Sequence, residues 1–172
     1  MKKYPASAMS VIQSIVPPML LWVSGFFFSM LWFMLMADTL AAGKNMSGTL
    51  PAPVLLSIIT FYTVIFGPMT WLVKIVFALA LLSMTLQLTI KAIPWYIRWV
   101  VFITNVPPVF MAAFYIIPLV DRLITNTDAP EVQSQMAHTV YNAHVIAATC
   151  VALMIALQVF IIIHLQRQAE KK

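Results

Sequence analysis

The chain has 172 residues, of which 62% are hydrophobic and only 9% are charged. A soluble domain carries about 25% charged residues, and at this size it leaves roughly a third of its unfolded-chain surface exposed to water. The composition therefore excludes an ordinary soluble protein and indicates a single integral membrane domain over residues 1–172. The fold class we expect is all-α, namely a membrane four-helix bundle with a short extra interfacial helix on its outer face.

The net charge of +5 is not the mark of a nucleic-acid-binding protein. The basic residues flank the apolar stretches and form no single patch, which is the pattern of the positive-inside rule. We therefore expect membrane lipids as partners and no nucleic acid. The flanking residues are Lys2, Lys3, Lys91, Arg98, Arg167, Lys171 and Lys172.

The first predicted span covers about residues 11–36. A helix crosses a hydrocarbon core of about 30 Å with about 20 residues, so this stretch is long enough. Its continuous apolar part, Met19–Ala37, is longer than the 7–15 residues of a cleaved signal peptide. We expect the first span to be retained.

The next apolar stretch, 51–66, is ambiguous. It holds about thirteen apolar or weakly polar residues in succession, which is short for a span and typical of an interfacial or re-entrant helix. Gly67-Pro68 is expected to separate it from the second span, 69–90. An interfacial, a re-entrant and a spanning helix remain open from this pattern alone.

The distribution of basic residues favours four spans over five. With four, seven Lys and Arg residues lie inside, whereas a fifth crossing at 51–66 would leave four inside and six outside. We therefore expect the N and C termini in the cytoplasm, and a bacterial inner membrane as the location.

Two intramembrane polar residues, Lys74 and Asn105, are candidate substrate-binding groups, because such residues are costly in lipid. Lys74, in the second span, either lines a polar cavity or pairs with Asp38 or Asp121. Alternatively, its stem only carries the charge to the headgroups. Asn105, in the third span (93–120), precedes Pro107-Pro108. That kink either opens a pocket or is purely structural.

The last helix has a clear start signal. Asp128 is a suitable N-cap, a proline follows in the first turn, and Glu131 stands at the capping-box position. We expect the helix to run from about Ala129 to about Ala169, with its span at 139–164. This length, about 60 Å, would bring His138 to the outer surface of the membrane.

Polar residues are densest near the start of this helix. His138, Tyr141 and Asn142 are spaced by three and four positions and share a face, with His144 at its edge. Histidine titrates near neutrality, so we take His144 and Tyr141 as candidate catalytic residues and His138 and Asn142 as substrate-binding ones. The alternative is that these groups only hydrogen-bond between helices.

No cofactor or metal is expected. The three histidines offer neither an i,i+4 pair nor a Glu-x-x-His motif, and His164 is far along the helix from the other two. Cys150 is the single cysteine, in an apolar run, so no intramolecular disulfide and no C-x-x-C redox pair can form.

Two stretches, FYIIPLVDRL (114–123) and VYNAHVIAATCVAL (140–153), together with the order of the predicted spans, resemble the anthrone-oxygenase-like family of small four-span membrane proteins. The chain has Val120 and Ile146 where that family is expected to have Asn and Arg. The resemblance implies a polar site at the outer ends of spans three and four, formed by Asp121, Arg122, Asn142 and His144. It also implies cofactor-independent oxidation of a phenolic anthrone with His144 as the base.

The sequence leaves three functions open and does not decide whether the chain is an enzyme. It could be a small membrane protein that binds or oxidises a lipophilic molecule at the polar site near the outer ends of spans three and four. It could be an accessory or assembly subunit, with other membrane subunits or further copies of itself as partners. The third hypothesis is a carrier of a small solute or lipid, suggested by Lys74 and the proline kink.

Overall fold

The computed structural model describes residues 8–42, 48–125 and 127–170, without the side chains of 8–10, 37–42, 66–70 and 73. Every regular element in these ranges is helical: α1 (Ala8–Ala42), α2 (Ala52–Leu88), α3 (Trp95–Met111), a π-helical turn (Ala112–Ile116), α4 (Ile117–Thr125) and α5 (Pro130–Glu170). Three helical segments of this described part are long and apolar enough to cross a membrane, at Val11–Met36, Trp95–Thr125 and Pro130–Glu170. The structure is thus all-helical, as predicted, and suits an integral membrane protein.

The helices pack around a central space. α1 contacts α2 and α5, and α3 contacts the same two helices from the opposite side. Among the described residues, the backbones of α1 and α3 do not pack directly against each other, although both helices contribute side chains to one core cluster. They therefore stand at opposite corners of the assembly, and the space between them is bounded by all of the long helices.

The described parts of two interhelix loops, 48–51 and 127–129, lie at one end of the molecule, which we call the upper end. The backbone N–H of Leu50 donates to Oγ of Ser134 over 3.0 Å, and Nε2 of His138 lies 2.8 Å from the Gly48 carbonyl oxygen. The lower end is formed by the turn at 89–94 and the last turns of α5. This arrangement places the start of α5 beside the start of α2.

One sequence prediction is wrong: residues 51–66 are not a separate short helix. Residues 52–88 form one continuous helix, which passes through Gly67 and Pro68 without a break. Proline removes one backbone N–H donor, but helices in apolar surroundings tolerate this loss when neighbouring groups satisfy the freed carbonyl. The interfacial helix predicted at about 51–66 and the span predicted at about 69–90 are therefore parts of the same helix.

α2 nevertheless departs from its neighbours over its middle part. Tyr62 and Gln87 are 25 positions apart on α2, but their partners on α5, His144 and Gln158, are only 14 apart. At ~1.5 Å per residue these separations are about 38 Å and about 21 Å. The stretch that contains Gly67 and Pro68 therefore does not run alongside α5.

The contacts of α2 with α1 show the same excess length of α2 between paired residues. Phe61 and Phe77 lie 16 positions apart on α2, whereas the rings they contact, Phe33 and Phe27, are only six positions apart on α1. The contacts of α2 with α1 and with α5 therefore both indicate that the middle of α2 lies away from the bundle axis. The sequence predicts an interruption of the helix at Gly67-Pro68. The structure has one continuous helix that deviates from the bundle over the stretch containing this pair.

α5 begins and ends close to where the sequence predicted. Its first backbone bonds run from Val132 and Gln133 to the Ala129 carbonyl, at 2.9 and 3.1 Å. Pro130 occupies the first helical position, where its missing N–H has no cost. The helix ends at Glu170 and its 41 residues extend about 60 Å, so it projects well beyond a membrane.

The third long segment changes its helical register beside the central space. Residues 112–116 form a π-helical turn, in which the N–H of Ile117 donates to the Ala112 carbonyl five residues back. Pro118 follows at once and cannot donate to the carbonyl of Phe114, which favours the wider turn. The π-helical turn therefore lies downstream of Pro107-Pro108, the pair at which the sequence predicts a kink.

The outer surface of the bundle is rich in aromatic side chains. Trp22 and Phe114 expose 81% and 74% of their surface, more than a water-soluble protein of this size needs to leave uncovered. At the lower end, Trp95, Tyr96 and Trp99 are exposed close to the basic residue Lys91. Such aromatic residues next to lysine and arginine are typical of a membrane–water interface.

Candidate functional site: the central cavity

A partly enclosed cavity of about 90 Å³ occupies the space between the helices. Its wall is apolar except for three side chains, Ser24, Asn105 and His144. Four of the lining residues are methionines (Met30, Met34, Met84 and Met154). Methionine side chains are flexible and polarizable, so they adapt to the shape of a bound molecule.

The most distinctive polar feature is a histidine–tyrosine pair at the upper part of the cavity. His144 is 3% exposed and Tyr62 is fully buried, and the Tyr62 hydroxyl lies 3.3 Å from Nδ1 of His144. Their rings are nearly parallel, with centroids 6.2 Å apart. Depending on the tautomer, either the hydroxyl donates to Nδ1 or Nδ1–H donates to the hydroxyl.

The pair is positioned by the core at the upper end. Tyr62 belongs to a buried cluster that α2 forms with the end of α3–α4 and the start of α5. This packing holds the phenol ring in place, and the imidazole projects from α5 toward it. The members of the cluster are Leu50, Leu55, Ile58, Tyr62, Ile116, Val120, Leu123, Met136, Ala137, Val140 and Ala143.

Asn105 forms the polar spot at the opposite part of the cavity. Its Nδ2 donates to the Val101 carbonyl over 2.7 Å, one turn back on the same helix. It also lies 3.1 Å from the Met154 sulfur on α5. Asn105 therefore stands at the cavity wall, as a binding residue would, with its amide already engaged by protein atoms.

The structure separates His144 from the other polar residues at the start of α5. Asn142 is exposed and Tyr141 is half-buried, whereas His144 faces the interior. Residues two apart on a helix point about 200° from each other, so Asn142 and His144 cannot meet at one site. His138 lies further up the helix, held by its bond to the Gly48 carbonyl.

Asp121 and Arg122 lie on the surface at the upper end and do not line the cavity. Nη2 of Arg122 forms an ion pair with Oδ2 of Asp128 over 3.2 Å. The pair closes the short loop between α4 and α5. The site that the family resemblance implies, with Asp121, Arg122, Asn142 and His144 together, is thus not assembled in this arrangement.

The Arg122–Asp128 pair is expected to contribute little to stability. Its side chains are 61% and 28% exposed, and exposed ion pairs are worth about 0.2–1 kcal/mol. Arg122→Ala should therefore lower the free energy of unfolding by no more than about 1 kcal/mol, as measured by reversible denaturation in detergent, and high salt should reduce the difference. A loss above about 2 kcal/mol would show that Arg122 has a second role.

Lys74 is exposed on α2 and does not line the cavity. It lies on the stretch of α2 that departs from the bundle. Among the described side chains, no carboxylate lies within ion-pair distance of it, and the side chain of Asp38, its other predicted partner, is outside the described part. The placement agrees with the alternative in which the lysine stem reaches along the helix toward the headgroups.

Sequence reasoning missed three residues that the structure makes prominent, namely Tyr62, Gln87 and Gln158. Tyr62 stood in a stretch interpreted as an interfacial helix, where a tyrosine is unremarkable. The two glutamines are neutral and lie in long apolar runs, so only their presence at membrane depth marked them as unusual.

The described residues contain no group of three or more His, Cys, Asp or Glu side chains able to hold a metal ion. In comparisons with known proteins, no family model, no curated protein and no solved structure matches the chain. The function of this protein is therefore inferred from the cavity and its side chains alone.

Proposed function

We propose that this protein is a four-span membrane protein that binds a slender lipophilic molecule in its central cavity, with the polar end of the ligand at the His144–Tyr62 pair. The observation that carries the proposal is this buried pair, whose imidazole lines a mostly apolar cavity inside a helical bundle. Ligand sites in proteins are mostly apolar, with a few convergent polar groups that orient the ligand. An imidazole–phenol pair also provides an acid and a base for proton transfer.

The proposed topology has α2 as the fourth crossing. It begins beside the start of α5 at the upper end and ends at the turn 89–94 at the lower end, so it runs the length of the bundle despite the deviation in its middle part. The basic residues Lys91, Arg98 and Arg167 lie toward the lower end, and the acidic residues Asp128 and Glu131 lie at the upper end. By the positive-inside rule, the lower end and both termini face the cytoplasm of a bacterial inner membrane.

The size of the cavity favours a slender ligand. A cavity of about 150 Å³ accommodates benzene, and this one measures about 90 Å³. A fused three-ring anthrone is much larger than benzene, so it would require the methionines to move. A single alkyl or isoprenoid chain is thinner than a fused ring system and can place one end in a partly enclosed cavity of this volume, so we propose this class of molecule in place of the anthrone that the family resemblance implies.

The test is native mass spectrometry of the protein released in nanodiscs from its own membrane. The expected result is a mass increment from a small lipophile that survives gentle activation. A stable increment from a second polypeptide, with no small molecule, would contradict the proposal and support an accessory subunit. The same measurement reports whether the chain forms a homo-oligomer.

His144→Ala should weaken the binding of this lipophile by about 2- to 12-fold, the equivalent of one neutral hydrogen bond of about 0.5–1.5 kcal/mol. The dissociation constant is measured in nanodiscs by titration with the identified molecule. His138→Ala is the matched control, because His138 lies outside the cavity and should leave the constant unchanged. If both substitutions changed the dissociation constant equally, the ligand would not bind at His144 in the cavity.

A further inference from the structure

Two glutamines face each other inside the bundle below the cavity. Gln87 on α2 is 1% exposed and Gln158 on α5 is fully buried. Nε2 of Gln158 donates to Oε1 of Gln87 over 3.1 Å and lies 3.4 Å from the Met154 sulfur. Burial of an amide in an apolar interior is unfavourable unless its hydrogen-bonding atoms have partners.

This single bond leaves two amide atoms without a protein partner. Nε2 of Gln87 is a buried donor and Oε1 of Gln158 is a buried acceptor, and neither has a hydrogen-bond partner in the described part of the chain. Exchanging the oxygen and nitrogen of both amides would restore one bond between them. It would again leave one donor and one acceptor unpaired, so the result does not depend on how the amides are assigned.

One O–H group would satisfy both atoms at once. Its oxygen accepts from the free amide N–H, and its hydrogen is donated to the free amide oxygen. Neither a carbonyl nor an ammonium group can do both, because the first lacks a hydrogen and the second lacks a lone pair. The unpaired atoms therefore require a group that both donates and accepts, and an O–H group is the smallest that does so.

A second unpaired donor lies nearby along the chain. Arg98 is half-buried, and Nη1 of its guanidinium donates to the carbonyl of Leu88, the residue next to Gln87. Its buried Nε has no partner among the described residues. The lower part of the bundle thus has an excess of donors, which suits a group rich in oxygen lone pairs.

We propose that Gln87 and Gln158 form a binding site for one O–H group, supplied either by a water molecule or by a hydroxylated lipophile. Buried waters typically make about three hydrogen bonds to otherwise unpaired polar groups. The second source is open because Met154, which contacts Gln158, also lines the cavity. The site stands independently of the proposed role of His144 and Tyr62.

The test is NMR of the protein in nanodiscs with ¹⁵N-labelled glutamine side chains. We expect magnetisation transfer to the Gln87 side-chain amide, either from water or from carbon-bound protons of a bound molecule. Water transfer that persists in Ala147→Phe, which fills the cavity, identifies water as the source. Transfer from carbon-bound protons that disappears in Ala147→Phe identifies a lipophile.

Gln158→Met should reduce the transfer to Gln87 at least severalfold, because the O–H group loses its acceptor. The exposed Gln135 provides the control substitution, Gln135→Met, which should leave it unchanged. Absence of both kinds of transfer in the unaltered protein would overturn the proposal. That spectrum needs no variant, so the test stands even where Gln158→Met fails to fold.

Discussion

Tyr62→Ala is expected to lower the free energy of unfolding by about 3–5 kcal/mol, the range for truncating a buried aromatic residue. The ring is fully buried in the cluster that joins α2 to α4 and α5. Its removal leaves a cavity and also takes the phenol from His144. Reversible unfolding in mixed detergent micelles, or thermal unfolding in nanodiscs, measures the difference.

Two further variants separate packing from hydrogen bonding. Tyr62→Phe keeps the ring and removes only the hydroxyl, so it should cost about 0.5–1.5 kcal/mol. Tyr115→Ala removes a tyrosine that is 51% exposed and should change stability by no more than about 0.5 kcal/mol. A Tyr62→Ala effect as small as the Tyr115→Ala effect would mean that α2 does not pack at the upper end as described.

Ala147→Phe should abolish binding of the lipophile, with a loss of more than about 100-fold, or about 2.8 kcal/mol. Ala147 is buried, lines the cavity one turn beyond His144, and belongs to the small core group with Leu31 and Ala148. A phenyl ring there takes up the space that a ligand chain would occupy. Native mass spectrometry of the variant should show the bare protein.

Ala152→Phe is the matched control for this substitution. Ala152 lies five positions further along α5 and is exposed on the outer surface, where an added ring meets lipid. Its ligand increment should equal that of the unaltered protein. Ala147→Phe is also expected to cost about 1–3 kcal/mol of stability through overpacking, so binding is compared at a temperature where both variants are folded. Retained binding in Ala147→Phe would exclude the cavity as the site.

The membrane character and the limits of α5 could be read from the sequence. Lipid offers no hydrogen bonds to the backbone, so a crossing segment must be a long apolar helix, and composition alone reveals it. The start of α5 follows from Pro130, which favours the first helical position, although the residue that precedes the helix is Ala129 and not the predicted N-cap, Asp128. Such local signals act through neighbouring residues, so they do not depend on how the rest of the chain packs.

The partners of the polar residues were decided only by the tertiary structure. Tyr62 and His144 are 82 positions apart, and Gln87 and Gln158 are 71 apart, so no local spacing connects them. Their meeting depends on the depth and rotation of each helix, which are set by side-chain packing between helices. In the same way, the burial of His144 and the exposure of Asn142 follow from which face of α5 the other helices cover.

The path of α2 depends both on a local sequence signal and on tertiary packing. Gly67-Pro68 is a local signal of irregular backbone, and the contacts of α2 with α1 show that the helix deviates between Phe61 and Phe77, the stretch that contains this pair. Whether such a signal ends a helix or only diverts it depends on whether the surroundings can satisfy the freed carbonyl. Composition determined that this chain belongs in a membrane, and the packing of its helices determined that a cavity with one imidazole–phenol pair lies inside it.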